Sequence, residues 1–490
     1  MSIAAHASTG ADPGTAAGPD PRRWIALIFV ALAQLMVALD ATIVNIALPS
    51  AQHALGISDA SRQWVITAYT LAFGGLLLLG GRISDLAGRK RTFLAGLIGF
   101  AAASALGGAA TGGTMLIAAR ALQGAFGAVL APAALSLLAV TFTQPRERAK
   151  AFAVYGAIAG SGAAVGLILG GVLAEQLSWR WCLYVNVPIA VAAVIGASLT
   201  LRNVPAGARQ RLDVAGAVLV TSGMVAVVYA CAQAVSDGWG SAKVIGLLAA
   251  GAVLLSLFVV LQTRVSAPLL PLRILRDRNR AGAYLSIALA VAGMFGLFLF
   301  LTYYFQVIAG YSPVRTGLAF LPLSAAVLVG SGAIASRLLP RVPPRMLIVP
   351  GLASAGVAMA LLTRLTVDSD YLTAILPAVI LLGLGLGCVF VPAMSMATQR
   401  VDRRDAGIAA AVANAASQIG ASIGAALLNT LAAGATAAYL VGRPHTAQVT
   451  SAALVHGYSA AAAVGAGILA TAAILAAILV NAPAQTQEER

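Results

Sequence analysis

Asp40 and Arg120 are the residues of this chain whose type and setting could do chemistry, because each sits deep within a long apolar run. A carboxyl group there is pulled two ways: loss of water favours its protonated form, and a nearby cation favours its ionised form. A group held between those pulls can load and release protons. Ionisable side chains at membrane depth are costly, and they face a cavity or a partner. Asp40 follows Trp24 by about 24 Å of helix and precedes Pro49 by about 13 Å, at 1.5 Å per residue. Arg120 lies about 9 Å into its own run, counted from residue 114. The depths agree, so the two charges should pair if their helices adjoin. Plainer roles remain open: Asp40 could simply lock two helices together, and Arg120 could snorkel to the interface.

Other polar and aromatic residues in apolar runs are candidates for a substrate cavity. They are Asn45 and Gln123 in the first half of the chain, and Tyr303, Tyr304, Gln306, Asn414 and Gln418 in the second. Aromatic rings stack on planar compounds and hold cations on their faces. The competing readings are an interfacial belt for the tyrosines and interhelical glue for the amides. Gly81, Asp85, Gly88, Arg89, Lys90 and Arg91 form a tight polar segment. Membrane anchoring explains its cations, whereas Gly88 suits a tight turn and Asp85 could pair across an interface. Gly156 and Gly160, then Gly162, Gly166 and Gly170 with Gly171, recur mostly at four-residue steps. That spacing lines one helix face with small residues and allows close backbone approach.

The elements that must position these residues are membrane helices. Of 490 residues, 60% are hydrophobic and only 10% charged, against about 45–50% and about 25% in soluble domains. This excludes an ordinary soluble enzyme, and disorder as well, since disordered chains are poor in apolar residues. One span needs about 20 mostly apolar residues. Fourteen candidate spans are readable, near 24–50, 62–81, 92–110, 114–140, 149–175, 182–201, 213–234, 243–263, 281–309, 315–337, 346–365, 371–399, 406–434 and 451–480. With the N-terminus inside, twenty-four of the 31 Lys and Arg residues fall on cytoplasmic segments. That bias predicts fourteen spans with both termini cytoplasmic. The net charge of +15 is spread over these loops, so no basic stripe for nucleic acid is expected. Cys182, Cys231 and Cys388 lie in apolar stretches without ligand spacing, and neither a disulfide nor a metal site is expected.

Several motifs fall in order along this frame. Leu39-Asp40-Ala41-Thr42-Ile43-Val44-Asn45-Ile46-Ala47-Leu48-Pro49 lies in the first span, and Gly81 to Arg91 follows the second. Arg120, Gln123, Gly124, Gly127 and Pro132 mark the fourth span, the glycine series the fifth, and Trp179-Arg180-Trp181 with Asn186 and Pro188 the sixth. Together they resemble the major facilitator superfamily, specifically its fourteen-span drug/proton antiporters. One departure stands out. The fifth-span pattern of those antiporters reads Gly-Pro at its core, and this chain has Gly166-Leu167.

The resemblance implies an all-α polytopic membrane protein of the major facilitator fold, with two six-helix bundles and two extra central spans. The expected division is a disordered cytoplasmic tail at 1–21, an N-terminal bundle at 22–202, two added spans at 203–264, a basic cytoplasmic linker at 265–280, a C-terminal bundle at 281–481 and a tail at 482–490. A faint internal repeat links 81–91 with 332–345, the second copy having lost its acid. The resemblance further implies proton coupling at Asp40 and Arg120, and a conformational latch at Gly81–Arg91. The expected activity is export of hydrophobic drugs or antibiotics across the cell membrane by alternating access. The proton gradient is its energy source, no cofactor is needed, and the chain works as a monomer in lipid. A narrower self-resistance or metabolite exporter is the alternative. A membrane-embedded enzyme is disfavoured. The chain has no HExxH zinc pair, no phosphate-cradling GxxxxGK[ST] and no second deep acid beside Asp40.

Overall fold

The computed structural model of the chain describes residues 23–58, 61–142, 144–201, 213–265, 268–398, 406–444 and 446–483. The expected tail at 1–21, and residues 484–490 of the other tail, lie outside the described residues, as do the basic segments 202–212 and 399–405. Every long described element is a helix. They are α1 (Arg23–Leu55), α2 (Trp64–Ala87), α3 (Arg89–Gly108), α4 (Gly113–Thr141), α5 (Pro145–Gln176), α6 (Trp181–Thr200), α7 (Val214–Asp237), α8 (Ala242–Arg264), α9 (Arg278–Ile308), α10 (Pro313–Leu338), α11 (Arg345–Leu362), α12 (Tyr371–Thr398), α13 (Ala406–Leu440) and α14 (Ala447–Leu479). A short helix, Leu272–Arg276, interrupts the linker.

Twelve of these helices are long and apolar enough to cross a membrane. In α2 and α5 the described apolar stretches are shorter, Trp64–Leu77 and Ala164–Gln176. Both helices carry charge toward one end: Arg82 and Asp85 in α2, and Arg146, Glu147, Arg148 and Lys150 in α5.

Local sequence sets several helix starts. Asp213, Ser241, Asp277, Ser312 and Thr446 each accept the backbone N–H three residues on, which satisfies a donor that the first helical turn cannot. Gly88 separates α2 from α3 at φ +92°, a conformation that a side chain would disfavour. The break in α6 falls at Val185, between Trp181–Tyr184 and Asn186–Thr200. Pro188 has no N–H for the Tyr184 carbonyl, and that missing bond loosens the turn. Among the described residues three π-helical turns, Tyr304–Ile308, Val329–Ala335 and Tyr371–Ile375, all lie in the second half.

The packing repeats. In the first six helices α1 packs on α5 and α6, α4 on α2 and α3, and α3 on α6. In the last six α9 packs on α13 and α14, α12 on α10 and α11, and α11 on α14. Each half therefore uses the same five helix pairs, although its sequence repeat is faint. The two sets meet along α2–α13, α5–α10 and α1–α9. The added pair stands outside this pattern. α7 covers the α2–α13 seam through Met224, Val228 and Cys231 against Leu71, Ile423 and Ala426, and Thr430 donates to the Cys231 carbonyl at 2.7 Å. α8 packs on α7.

Candidate proton and substrate site

The centre of the first half is a closed polar knot in an apolar surround. Asp40 is fully buried and Arg120 is 2% exposed. Arg120 Nη1 donates to Asp40 Oδ2 at 2.6 Å, so the two charges expected to share a depth are in contact. Arg120 Nε donates to the Val65 carbonyl at 3.1 Å, and Nη1 also reaches Gln123 Oε1 at 2.8 Å. The guanidinium lies 4.3 Å from the centre of the Tyr69 ring. On the other carboxylate oxygen, Asp40 Oδ1 accepts from Gln123 Nε2 and from Asn186 Nδ2, both at 3.0 Å. Ser104 Oγ accepts from the same two nitrogens, at 2.6 and 2.9 Å. Every hydrogen bond that Asp40 makes here is one that an ionised carboxylate accepts.

Small residues bring these helices together. A Cβ on Gly124 would stand 2.2 Å from the Tyr69 carbonyl. α4 thus lies against the α2 backbone one turn beyond Arg120. Behind α1, Gly162 faces Ala38, Gly166 faces Thr42 and Leu39, and Gly170 faces Ile43. The glycine face of α5 is therefore pressed on the turns of α1 that carry Asp40. Gly171 instead meets Pro313 and Val314 of α10 in the other half, and Gly317 meets the Leu167 carbonyl. Leu167, which stands where the related pattern has proline, is buried in this contact. The side-chain surroundings of Gly156 and Gly160 lie outside the described residues.

The cavity candidates lie in different places. Gln123 belongs to the Asp40 knot. Tyr303 and Gln306 lie on the seam between the halves. The Tyr303 hydroxyl bonds Gln52, Arg62 sits 4.0 Å over the Tyr303 ring, and Gln306 Nε2 donates to the Ile46 carbonyl at 3.0 Å. Tyr304 turns away, with its hydroxyl on the Thr366 carbonyl at 2.9 Å. Asn45 and Asn414 bond to their own helices, at the Ala41 and Ala410 carbonyls. Gln418 faces Gly74 of α2, and one turn further along α13 Ser422 Oγ lies 2.8 Å from Thr70 Oγ1.

In the motif after α2, Lys90 Nζ holds the Ser198 and Leu201 carbonyls at 2.7 and 2.6 Å, which caps the end of α6. A Cβ on Gly81 would lie 3.8 Å from Pro132, whereas one on neighbouring Gly80 would lie 2.1 Å from the Ala128 carbonyl. The tight approach of α2 to α4 is thus made by Gly80. Arg89 and Arg91 lie in the first turn of α3, and the Asp85 side chain lies outside the described residues.

Ser104 is one site residue that the sequence does not single out. It is a small hydroxyl in the middle of an apolar helix, where nothing in its spacing separates it from packing serines. Asn186 was visible as a motif residue, and its place two positions before Pro188 was the available signal.

A polar knot in the first half, a repeated six-helix packing and a seam between the repeats define a membrane transporter, and residues 30–425 match the Major Facilitator Superfamily. The chain belongs to that superfamily and is a transporter rather than an enzyme. It is 55% identical over 474 residues to the puromycin resistance protein pur8 of Streptomyces alboniger, covering 96% of this chain and 94% of that one. It is 40% identical to the cephamycin export protein CmcT of Amycolatopsis lactamdurans, covering 84% and 85%. Among solved structures, a bacterial homologue of the human lysosomal transporter Spinster, described as inward-facing and unoccupied, superposes with a TM-score of 0.68. It is 16% identical, and the match covers 96% of this chain and 99% of that one. That likeness concerns the fold.

Proposed function

We propose that this chain is a proton-driven exporter of antibiotics that works by alternating access in the cell membrane. The observation that carries the reading is Asp40: a fully buried carboxylate, held at 2.6 Å by a buried arginine, in a transporter of this superfamily. Protonation of Asp40 would weaken its hold on Arg120 and loosen the contact between α1 and α4. The α5 glycines would carry that change to the seam, because α5 packs on both α1 and α10.

Fourteen spans with both termini inside, divided as two bundles at 22–202 and 281–481, form part of the same reading. The repeated helix pairs and the bias of basic residues support it. Contacts across the seam at the end remote from Arg23 include Gly171–Pro313, Gln306–Ile46 and Arg62–Tyr303, and the long α2–α13 contact continues the seam through Thr70–Ser422 and Gly74–Gln418. In the proposed orientation the first three of these contacts lie toward the outside. Gly81, Asp85 and Gly88–Arg91 then lie at the cytoplasmic ends of α2 and α3, where a latch between the halves would act.

Two relatives bear the names of different single antibiotics, which favours a narrow substrate over a broad one. Puromycin is the first compound to test, since the relative at 55% identity carries that name. Inside-out vesicles with an imposed proton gradient would be given puromycin and then a panel of planar antibiotics and dyes. A drug-triggered collapse of the gradient in wild type, absent in Asp40→Asn, is the expected result. Collapse in both would move the proton site away from Asp40. No collapse with any compound would count against antiport.

A further inference from the structure

Asp40 Oδ1, Gln123 Nε2, Ser104 Oγ and Asn186 Nδ2 form a closed ring of four hydrogen bonds, with sides of 3.0, 2.6, 2.9 and 3.0 Å. The ring alternates two oxygens with two amide nitrogens. Each nitrogen carries two hydrogens, so each can serve both oxygens. All four amide hydrogens are used, and none can be removed without opening the ring. The two oxygens of Asp40 are therefore unlike. Oδ1 sits in a fixed frame of two neutral donors from α4 and α6. Oδ2 is held by Arg120 alone among the described partners.

Asn186 carries a second sign of this purpose. It is fully buried, yet its Oδ1 has no hydrogen-bond partner among the described residues. An asparagine that only glued helices would pair both ends of its amide, since an unpaired buried carbonyl is destabilising. Here the amide is turned so that both N–H groups face Asp40 and Ser104. Turned the other way, its carbonyl would face the carboxylate.

We propose that Asn186 and Ser104 are positioning residues that fix Oδ1 as an acceptor, so that the transported proton is taken up and released at Oδ2. This rests on the reading of Asp40 as the proton site. A proton passed to Oδ2 from hydronium forms an O–H bond there as the hydronium O–H bond breaks to leave water, and the Arg120 Nη1–H···Oδ2 bond opens. Oδ1, now the carbonyl oxygen of the acid, still accepts from both amides, so the ring survives the step. Arg120 keeps Gln123 Oε1 and the Val65 carbonyl. On release the Oδ2 O–H bond breaks, its proton passes to water as hydronium, and the carboxylate takes Arg120 back. Ring and ion pair thus divide the work: one holds Asp40 in place, and the other opens. The charged and titratable groups facing Asp40 and Asn186 from the packed helices are Arg120 and, behind it, Tyr69. α3 presents Ser104, and α5 presents glycines.

The test is drug-driven proton exchange in proteoliposomes, read as rate against pH, for wild type, Asn186→Ala, Ser104→Ala, Ser104→Thr and Asp40→Asn. Removing a donor to the ionised carboxylate makes protonation easier. Asn186→Ala should therefore move the pH of half-maximal exchange toward alkaline by about one unit, a tenfold change in proton concentration. Ser104→Ala should move it in the same direction by less, and Ser104→Thr, which keeps the hydroxyl, should follow the wild-type profile. Ser104→Ala removes one oxygen and carries the test should Asn186→Ala not be recovered as a monodisperse protein. An unshifted profile for both alanine variants, with rates lowered equally at every pH, would overturn the proposal. Asp40→Asn separates the two readings. If it keeps the wild-type pH dependence, Asp40 is not the proton site. If it loses that dependence while the alanine variants stay unshifted, only the role of Asn186 and Ser104 fails.

Discussion

Arg120 and Asp40 form the charged pair at the centre of the polar knot. Both are buried, and each would be an uncompensated charge without its partner. Breaking a buried pair from one side typically destabilises by about 3–5 kcal/mol. Arg120→Gln and Asp40→Asn should each lower the thermal midpoint of the detergent-solubilised protein. The double variant should lose less than the two losses combined, by roughly 0.5–3 kcal/mol of coupling. Additive losses would mean that the contact is not energetically real. Exchange should stay absent in the double variant, because Asp40, the proposed proton site, is gone even where stability returns. At this scale the sequence was informative about the charges and poor about their neighbours. Asp40 and Arg120 announced themselves by being ionic in apolar runs. Ser104 and the seam residue Gln52 carry no such contrast, so only their placement reveals them.

Helix faces, rather than single side chains, decide how α1 is held. Gly166 backs on Thr42 so closely that a Cβ there would lie 2.1 Å from Thr42 Oγ1 and 3.0 Å from the Leu39 carbonyl. Gly166→Val would force α5 from α1, with strain of about 1–3 kcal/mol and displacement of the turn that carries Asp40. The expected outcome is a lower thermal midpoint together with lost export. Gly434→Ala in α13 and Gly467→Ala in α14 serve as controls, since no atom lies within 4 Å of a Cβ at either position; both should behave as wild type. An equal loss in the controls would show that the effect is general to these helices and not to the α1–α5 contact. The four-residue glycine spacing predicted a close approach but not its partner. Two turns of one face lean on α1, and the next glycine, Gly171, leans on the other half. The π-helical turn at Tyr304–Ile308, which carries Gln306 to Ile46, has no sequence signature of its own. It is set by the fit of α9 against α1.

The whole molecule must part along the seam for alternating access to occur, and the α2–α13 contact makes that testable. Thr70 Oγ1 and Ser422 Oγ lie 2.8 Å apart across the two halves. Thr70→Cys with Ser422→Cys, made together, should form a disulfide under oxidant and stop export, and a reductant should restore it. Export that continues with the cross-link formed would mean that this part of the seam does not open. α7 lies over the same contact, so the added helices are placed to follow or resist that opening. The sequence by itself determined the class of the protein, the order of its long helices and the two buried charges that pair in the first half. These follow from composition, apolar run length and charge placement, which are properties of a segment taken alone. The tertiary structure decided the rest. It chose which face of α5 meets which helix, it closed the four-membered ring around Asp40 Oδ1, and it made the two halves repeat the same five pairings behind an almost unrecognisable repeat in sequence. Those outcomes depend on residues far apart in the chain, 146 positions for Asp40 and Asn186, and close approach at such separations is a property of packed surfaces rather than of any local pattern.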